Sequence, residues 1–266
     1  MRSPVLLGIA VQAIRRNALR TLLTTLGIVI GVGAVLLTVA VGLGARQKIR
    51  QQIDGLGTNL VVVTPGTSGA GGVNQGAGSF NRITIADVKK LQREATTVAA
   101  ISPVVVAPTQ AIGGRGNWRT AVNGVAPEYR EIRDWEVASG TFFTSSDLAA
   151  ARSVAVIGAT IAKSLWPGED PVGQSIQLRR VPFRVIGVLE AKGQTAGGAD
   201  QDDVVLAPYT TVQTRLAGRQ FIPQILASAP SADGVAAAQE EIAAILRESH
   251  RLGEGETDDF TVRNQA

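Results

Sequence analysis

The sequence contains no cysteine and a single histidine, and these two shortages exclude several kinds of chemistry. Without cysteine there can be no disulfide, no thiolate zinc site and no cysteine nucleophile. A Ser-His-Asp triad would have to use His250, and no G-x-S-x-G motif precedes it. We expect His250 to be a solvated residue near the end of a charged helix, where a cation interacts favourably with the helix dipole. The sequence therefore predicts no catalytic residue.

Patterns that bind metals, phosphates or nucleic acids are also missing. Asp200, Asp202 and Asp203 follow a glycine-rich loop, but they do not form an EF-hand pattern, and we expect a solvated entry to a strand. The glycine-rich residues 67–79 fit neither G-x-G-x-x-G nor G-x-x-x-x-G-K-[ST], and we expect a mobile loop there. Basic residues are dispersed and aromatic residues are 4% of the chain. We therefore expect no metal, no cofactor and no nucleic acid.

The sequence contains one long apolar stretch. Residues 21–45 contain no charge and are bounded by Arg20 and Arg46. About 20 apolar residues suffice to cross a bilayer, and a single span in lipid must be helical. A cleaved signal peptide and a buried core helix are the alternatives, but an apolar signal segment is normally about 7–15 residues long. Because the apolar character surrounds the whole helix, lipid is favoured over a protein core. The sequence predicts a transmembrane helix over residues 19–45.

Arginines precede this helix without any acidic residue among them. By the positive-inside rule they favour a cytoplasmic N-terminus, although basic residues at 46, 48 and 50 weaken the asymmetry. Residues 1–18 have the pattern of an amphipathic helix lying in the membrane interface; the alternative is a simple extension of the spanning helix.

Three glycines lie within the predicted span. Gly27 and Gly31 form a G-x-x-x-G pattern, and Gly33 follows closely. Such small residues let a second helix approach, although glycine is frequent in membrane helices in any case. We expect these glycines to contribute to helix packing.

Two strand–helix–strand units frame the rest of the chain. The first has a strand at 60–63, a helix beginning at a T-x-x-D motif, Thr84 to Asp87, and a strand at 98–107 broken by prolines. The second has a strand at 224–228, an amphipathic helix at 233–250 and a strand at 260–263. Two such units form a split βαβ sheet with its helices on one face. The sequence predicts an α+β fold, in which residues 46–108 and 221–266 are the two halves of this subdomain and residues 109–220 are an inserted, mostly-β subdomain.

Several motifs, taken in this order, resemble one family. An NALRTLLT run precedes LGIVIGV in the apolar stretch, and LGTNL is followed by Pro-Gly. VNGV, GTFF, DPVGQ, PFRVIGV and QDD follow further along. Together they resemble MacB/FtsX-type ABC transporter permeases over nearly the whole chain. The matching positions outside the membrane are Asn59, Pro65, Gly66, Asn123, Gly124, Asp170, Pro171, Gly173, Asp202 and Asp203.

The resemblance implies a bacterial inner-membrane protein with a cytoplasmic N-terminus and a periplasmic core, made of a porter-like βαβ subdomain with a β-rich insertion. Such permeases act as homodimers with an ATP-binding subunit that hydrolyses ATP, often with a periplasmic adaptor protein. They relay ATP-driven motion to the periplasm, which is called mechanotransmission, and so drive efflux or export. The family has three further membrane helices, so we expect a fragment or truncated product. The alternative is a membrane-anchored periplasmic binding or scaffold module without an ATPase.

Overall fold

The computed structural model describes residues 16–54, 59–66, 83–195, 197–218, 221–253 and 255–264. The expectations for residues 1–15 and 67–79 lie outside this part. The chain divides into two compact units, Met1–Gln51 and Gln52–Ala266.

The first unit is built on helix α1, Ala18–Asp54. Among the described residues, Ala18–Gly44 is the one helical segment long and apolar enough to cross a membrane. Its threonine hydroxyls donate to backbone carbonyls one turn earlier: Thr24 to Arg20 at 2.9 Å and Thr38 to Ala34 at 2.9 Å. Because these hydroxyls are satisfied within the helix, they do not oppose burial in lipid.

The second unit is an α+β structure built on one connected sheet. Its described strands are β1 (Leu60–Pro65), β2 (Ala100–Gly113), β3 (Gly116–Val125), β4 (Val137–Gly140), β5 (Val154–Ile157), β6 (Ser175–Leu178), β7 (Val181–Leu189), β8 (Val205–Pro208), β9 (Gln224–Ser228) and β10 (Phe260–Asn264). They lie in the order β10-β1-β9-β2-β3-β8-β5-β7-β4, and β6 pairs with β2 and β7.

Helices and short helical turns accompany these strands. They are α2 (Ile85–Glu94), α3 (Tyr129–Ile132), α4 (Ser145–Ala149), α5 (Ala159–Leu165), α6 (Tyr209–Thr211) with a π-helical turn at Val212–Ala217, a 3₁₀ turn at Ala232–Gly234, and α7 (Val235–His250). Residues 126–148 contain α3, β4 and most of α4. Helix α4 begins at a second T-x-x-D capping box, in which Thr144 accepts from the Asp147 amide.

The first part of the sheet has the predicted split βαβ arrangement. Strands β10, β1, β9 and the beginning of β2 are antiparallel neighbours. Helices α2 and α7 connect them and pack against each other. Val235 and Ile242 of α7, the predicted amphipathic helix, are buried in the same cluster as Val88 and Leu91 of α2. The α+β prediction is therefore confirmed.

Strand β2 belongs to both parts of the sheet. Residues 100–104 pair with β9, residues 105–113 pair with β3, and the last three also pair with β6. The predicted interruptions at Pro103 and Pro108 are wrong, because both prolines lie inside one continuous strand. Proline removes an amide donor, but its fixed φ is compatible with extended backbone, so pairing of the neighbouring residues continues past it.

Apolar side chains cover both faces of the sheet. One buried cluster lies on the side of α2 and α7, and the other lies on the side of α3. Aromatic residues contribute to the core: Trp135 and Phe143 are buried, and Phe142 stacks on Phe143 with ring centroids 4.3 Å apart.

Strand β3 approaches the π-helical turn so closely that one position admits no side chain. A Cβ on Gly124 would lie 2.7 Å from Cβ of Val212 and 3.0 Å from Cα of Tyr209. Real Cβ atoms do not come so near, so the helix would have to move.

We therefore expect Gly124→Ala to lower the free energy of unfolding by about 1–3 kcal/mol, the usual range for overpacking a core. Gly116, in the same strand, is the matched control, because a Cβ added there would meet no atom within 4 Å. Urea unfolding of the full chain in detergent measures both variants. Equal losses for Gly116→Ala and Gly124→Ala would contradict the packing argument.

Candidate functional site

The structure disperses the family-motif residues instead of collecting them into one pocket. They lie at the ends of β1, near the end of β3, in the turn before β6 and in the segment before β8. Each group makes a local connection between neighbouring elements.

The motif at the end of β1 fastens that strand to β10. Gly66 adopts φ +104°, a value that favours glycine. Its amide donates to the Asp259 carbonyl at 2.8 Å, and its carbonyl accepts from the Thr261 hydroxyl at 2.7 Å. Asn59, at the other end of β1, accepts through its carbonyl from the Ala229 amide at 2.9 Å. Both ends of β1 are thereby fixed.

The motif before β6 forms a tight turn. The Asp170 carboxylate accepts from the Val172 amide at 3.0 Å, and Gly173 adopts φ +87°. The Gly173 amide then donates to the Val185 carbonyl at 2.7 Å, which brings β6 against β7. Pro171 precedes this contact and is buried.

Asp202 is not solvated, contrary to expectation. Its side chain is buried and accepts from the amides of Lys192 at 2.8 Å and Gly193 at 3.0 Å. A buried carboxylate is stable only with such donors, and here two backbone amides supply them. No sequence motif signals this contact, because the donors lie in the preceding loop. Asp202 therefore closes the glycine-rich loop.

The neighbouring aspartates also have protein partners. The Asp203 carboxylate accepts from the Trp118 indole at 3.0 Å, and the Asp200 carboxylate accepts from the Thr160 hydroxyl at 2.7 Å. Across the residues that the structure describes, no group of three or more His, Asp or Glu residues could hold a metal.

His250 is likewise not the solvated cap that we expected. Its side chain is only 6% exposed, with Nδ1 2.6 Å from an Asp259 carboxylate oxygen and Nε2 3.5 Å from an Asp87 carboxylate oxygen. The ring also lies edge-on to Phe260, with centroids 5.8 Å apart. Since both aspartates come from other elements, only the fold brings them to His250.

Asp87 is the centre of this cluster. It accepts from the Thr84 amide at 2.7 Å and the Thr84 hydroxyl at 2.8 Å, as the T-x-x-D motif predicts, and also from the Ser249 hydroxyl. Burial acts to raise its pKa, but these hydrogen bonds and nearby His250 outweigh burial and hold the pKa below its ordinary value. The start of α2 is thereby joined to the end of α7.

Glu241 makes the second connection between these elements. Its carboxylate accepts from the Thr96 amide at 2.9 Å, the Thr97 amide at 2.8 Å and both threonine hydroxyls. Desolvation opposes ionisation, but the four hydrogen bonds outweigh it and lower the pKa to about 2. Glu241 therefore fixes the α2–β2 connection against α7.

Gly27, Gly31 and Gly33 present an open surface on α1. No atom lies within 4 Å of a Cβ placed on any of them. Their role in helix packing stays a prediction.

These contacts join the two helices to the sheet. Two carboxylate clusters hold α2 and α7 together, both helices pack on one part of the sheet, and β2 runs without a break into the other part.

The pKa of Glu241 predicts an acid dependence of stability. The pKa of Glu241 in the folded protein is about 2, below its ordinary value of 4.5. The hydrogen bonds to its carboxylate therefore contribute fully to folding stability above pH 4.5, and this contribution is lost as the pH falls toward about 2. We expect Glu241→Gln to cost ~1 kcal/mol at neutral pH, since solvent screens this partly exposed group. The variant should also lose stability less steeply on acidification. Urea unfolding at a series of pH values measures this, and Glu240→Gln is the neighbouring control, expected to behave as the parent.

The two capping boxes provide a second comparison. We expect Asp87→Asn to lower the free energy of unfolding by about 2–3 kcal/mol, because it disturbs a buried, charge-assisted cluster. Asp147→Asn, in the box at Thr144, should cost only about 0.5–1 kcal/mol. Thermal and urea unfolding of the full chain check this order, and a reversed order would show that the His250 cluster adds no stability.

Comparison with known proteins identifies the family. The family model for the MacB-like periplasmic core domain matches residues 21–245. A macrolide export ATP-binding/permease protein MacB from Rhodospirillum rubrum is 41% identical over 260 residues, which cover 97% of this chain and 38% of that protein. The protein of the same name from Syntrophobacter fumaroxidans is 34% identical, over 96% of this chain and 43% of that protein. The chain thus spans about two fifths of the length of these relatives.

Solved structures show the same fold. The periplasmic region of MacB from Actinobacillus actinomycetemcomitans has a TM-score of 0.66 at 22% identity, and the match covers 82% of this chain and 94% of that one. The extracellular domain of the noncanonic ABC-type transporter YknZ from Gram-positive bacteria has a TM-score of 0.61 at 20% identity, over 77% of this chain and all of that one. With an apolar N-terminal helix leading into this fold, the chain belongs to the family of MacB-like periplasmic core domain proteins, the permease components of ABC export systems.

Proposed function

We propose that this chain is the N-terminal part of the permease subunit of a MacB-like ABC exporter. It crosses the bacterial inner membrane once through α1, with its N-terminus in the cytoplasm and its second unit in the periplasm. ATP is hydrolysed on a partner ATP-binding subunit, and the periplasmic unit relays the resulting motion to drive export. A second copy of the permease and a periplasmic adaptor protein complete the assembly.

The observation that best supports this proposal is that helix α1 and strand β2 are each continuous. Helix α1 is unbroken over 37 residues, and its apolar part ends at Gly44. At 1.5 Å per residue the helix is about 55 Å long, which exceeds the ~30 Å hydrocarbon core. Within the second unit, β2 continues from one part of the sheet into the other. Stiff, continuous elements are what a relay requires.

The contacts of the side chains favour a mechanical role for this chain over a catalytic one. In the described part of the chain, the carboxylates of Asp87 and Glu241 have lowered pKa values and accept three and four hydrogen bonds, respectively. A general acid or base needs a free position for its substrate, and most positions on these groups are taken by protein donors. Their contacts hold helices together, which favours a mechanical role. The names of the relatives specify macrolides as the exported compounds. For this chain we propose export without specifying the substrate.

Co-purification tests the proposal against the scaffold alternative. A form of the chain that continues past Ala266 is expressed with an ATP-binding subunit of a MacB-type exporter, and the membranes are solubilised in mild detergent. We expect the two proteins to co-purify and the permease to alter the ATPase rate. Glu240→Cys, an exposed change on α7, is the control and should leave both results unchanged. A permease that is folded and membrane-inserted but recovers no ATP-binding subunit would favour the scaffold module.

A further inference from the structure

Strand β10 is one edge of the sheet, and its neighbour among the described residues is β1. The Gly66 amide donates to the Asp259 carbonyl at 2.8 Å. Position 259 and every second residue after it therefore direct their backbone groups toward β1, because an antiparallel ladder repeats every two residues. The amides and carbonyls of Phe260 and Val262 point the other way, toward the outer edge of the sheet.

The hydrogen bonds on the other side of β1 support this assignment. The Ala229 amide donates to the Asn59 carbonyl at 2.9 Å, so the odd-numbered residues of β1 bond to β9 and the even-numbered ones bond to β10. In the part of the chain that the structure describes, the outward backbone groups of β10 have no strand to pair with. Such a row of amides and carbonyls is a template for an added strand.

The opposite edge of the sheet is built differently. Its pairing with β7 shifts register between Val137 and Ser139 of β4, and Gly140 has φ +76°. Such irregularity bends the backbone away from the extended geometry that an added strand needs. The pairing of β10 with β1 is regular from Phe260 to Asn264. Of the two edges, β10 is the one suited to strand addition.

A groove of about 420 Å³ lies beside this edge, between β10 and α7. Phe260 and Val262 belong to the side of the sheet that α7 covers, whereas Arg263 lies on the other face. A strand added to β10 would place every second side chain over the groove. The lining includes Ala236, Gln239, Glu240 and Ala243 of α7 and Phe260 and Val262 of β10.

The charge of the groove is negative. Its two carboxylates are those of Glu240 and Asp258. Asp258 is paired with Arg247, whereas Glu240 is exposed and has no ion pair or hydrogen bond within the described residues. A basic side chain on an added strand would be complementary to Glu240.

We propose that the outer edge of β10 and the groove beside it form a docking site for an extended, basic peptide segment of another protein. The segment pairs antiparallel with β10, as β1 does on the other side. Its backbone bonds to the outward groups of Phe260 and Val262, which gives affinity, and its alternate side chains give specificity. Small apolar side chains lie between Ala236 and Ala243, and a lysine or arginine pairs with Glu240.

This proposal goes beyond the proposed function and does not depend on it. Its test uses the purified full chain and a synthetic peptide, without an ATP-binding subunit. The co-purification assay contains no such peptide, so a change at Glu240 alters neither of its results. Either proposal can therefore fail alone.

Fluorescence anisotropy with a synthetic strand tests the site. The probe is a fluorescein-labelled TVTKTVT peptide with an amidated C-terminus, in which the valines and the lysine share one side of the extended chain. The full chain in detergent is titrated into the probe. We expect saturable binding, and its absence overturns the proposal.

Methylation of the probe backbone provides the decisive comparison. In an antiparallel pair, the probe residues whose side chains lie over the groove are those whose amides face β10. Methylating the amide nitrogen of the lysine should lower the affinity about tenfold, because a hydrogen bond is lost and a methyl group meets β10. Methylating the amide of the next threonine, which faces solvent, should have little effect. Equal effects of the two methyl groups would overturn the proposal.

Charge reversal tests the acidic contact. We expect Glu240→Lys to weaken binding of the probe about fivefold, the upper range for an exposed ion pair. Glu94→Lys, an exposed change on α2 outside the groove, is the control and should have no effect. A TVTETVT probe should prefer the Glu240→Lys variant to the parent chain. If both probes bind the two chains alike, Glu240 is not part of the site and the basic occupant is wrong.

A change in β10 itself separates strand addition from other occupants. Val262→Pro removes an outward amide at an edge position, where proline is tolerated, and should abolish probe binding. Val262→Ala keeps the amide and should retain binding. Light scattering of the same samples reports their oligomeric state. A self-associated parent chain that does not bind the probe and that Val262→Pro dissociates would assign this edge to a second copy and overturn the proposal.

Discussion

The pairing of β2 with two different sets of strands is the constraint on which the second unit depends. Its first residues complete the split βαβ sheet beside β9, and its later residues support the hairpin with β3 and the pairing with β6. A strand cannot slip by one residue without exchanging its two faces. Because Val104 and Val105 belong to opposite clusters, the register of β2 fixes both cores at once. The two parts of the sheet are thus coupled by covalent backbone as well as by packing.

The hydrogen-bonded clusters of Asp87 and Glu241 lie on the side of the sheet that α2 and α7 cover. Asp87 and Glu241 lie on helices that approach the sheet from neighbouring positions, and each accepts donors from the other strand–helix unit. Such charge-assisted hydrogen bonds are directional, whereas apolar packing alone lets helices slide. With His250 between Asp87 and Asp259, the contact extends from α2 through α7 to β10. The two βαβ units are therefore joined by directional hydrogen bonds as well as by apolar packing.

Local signals in the sequence predicted the local structure well. The T-x-x-D motif at Thr84 predicted both the start of α2 and its capping contacts, and the apolar spacing in α7 predicted its buried side. These depend on residues within one or two turns of each other. The environments of Asp202 and His250 could not be predicted in this way, because their partners are brought together only by the fold. The continuity of β2 through Pro103 was missed for the same reason, since its neighbours on β9 come from the far end of the chain.

The polar residues of this chain are used for connection, and this accounts for the lack of a recognisable reactive motif. An active site requires polar groups held near a cavity with unused hydrogen-bonding capacity, whereas Asp87, Asp202 and Glu241 are engaged with backbone and hydroxyl donors. In the part of the chain that the structure describes, Arg119 and Arg184 are by contrast exposed and have no ion pair. The hydrogen-bonding capacity of the three carboxylates is used within the fold, so they stabilise contacts between elements.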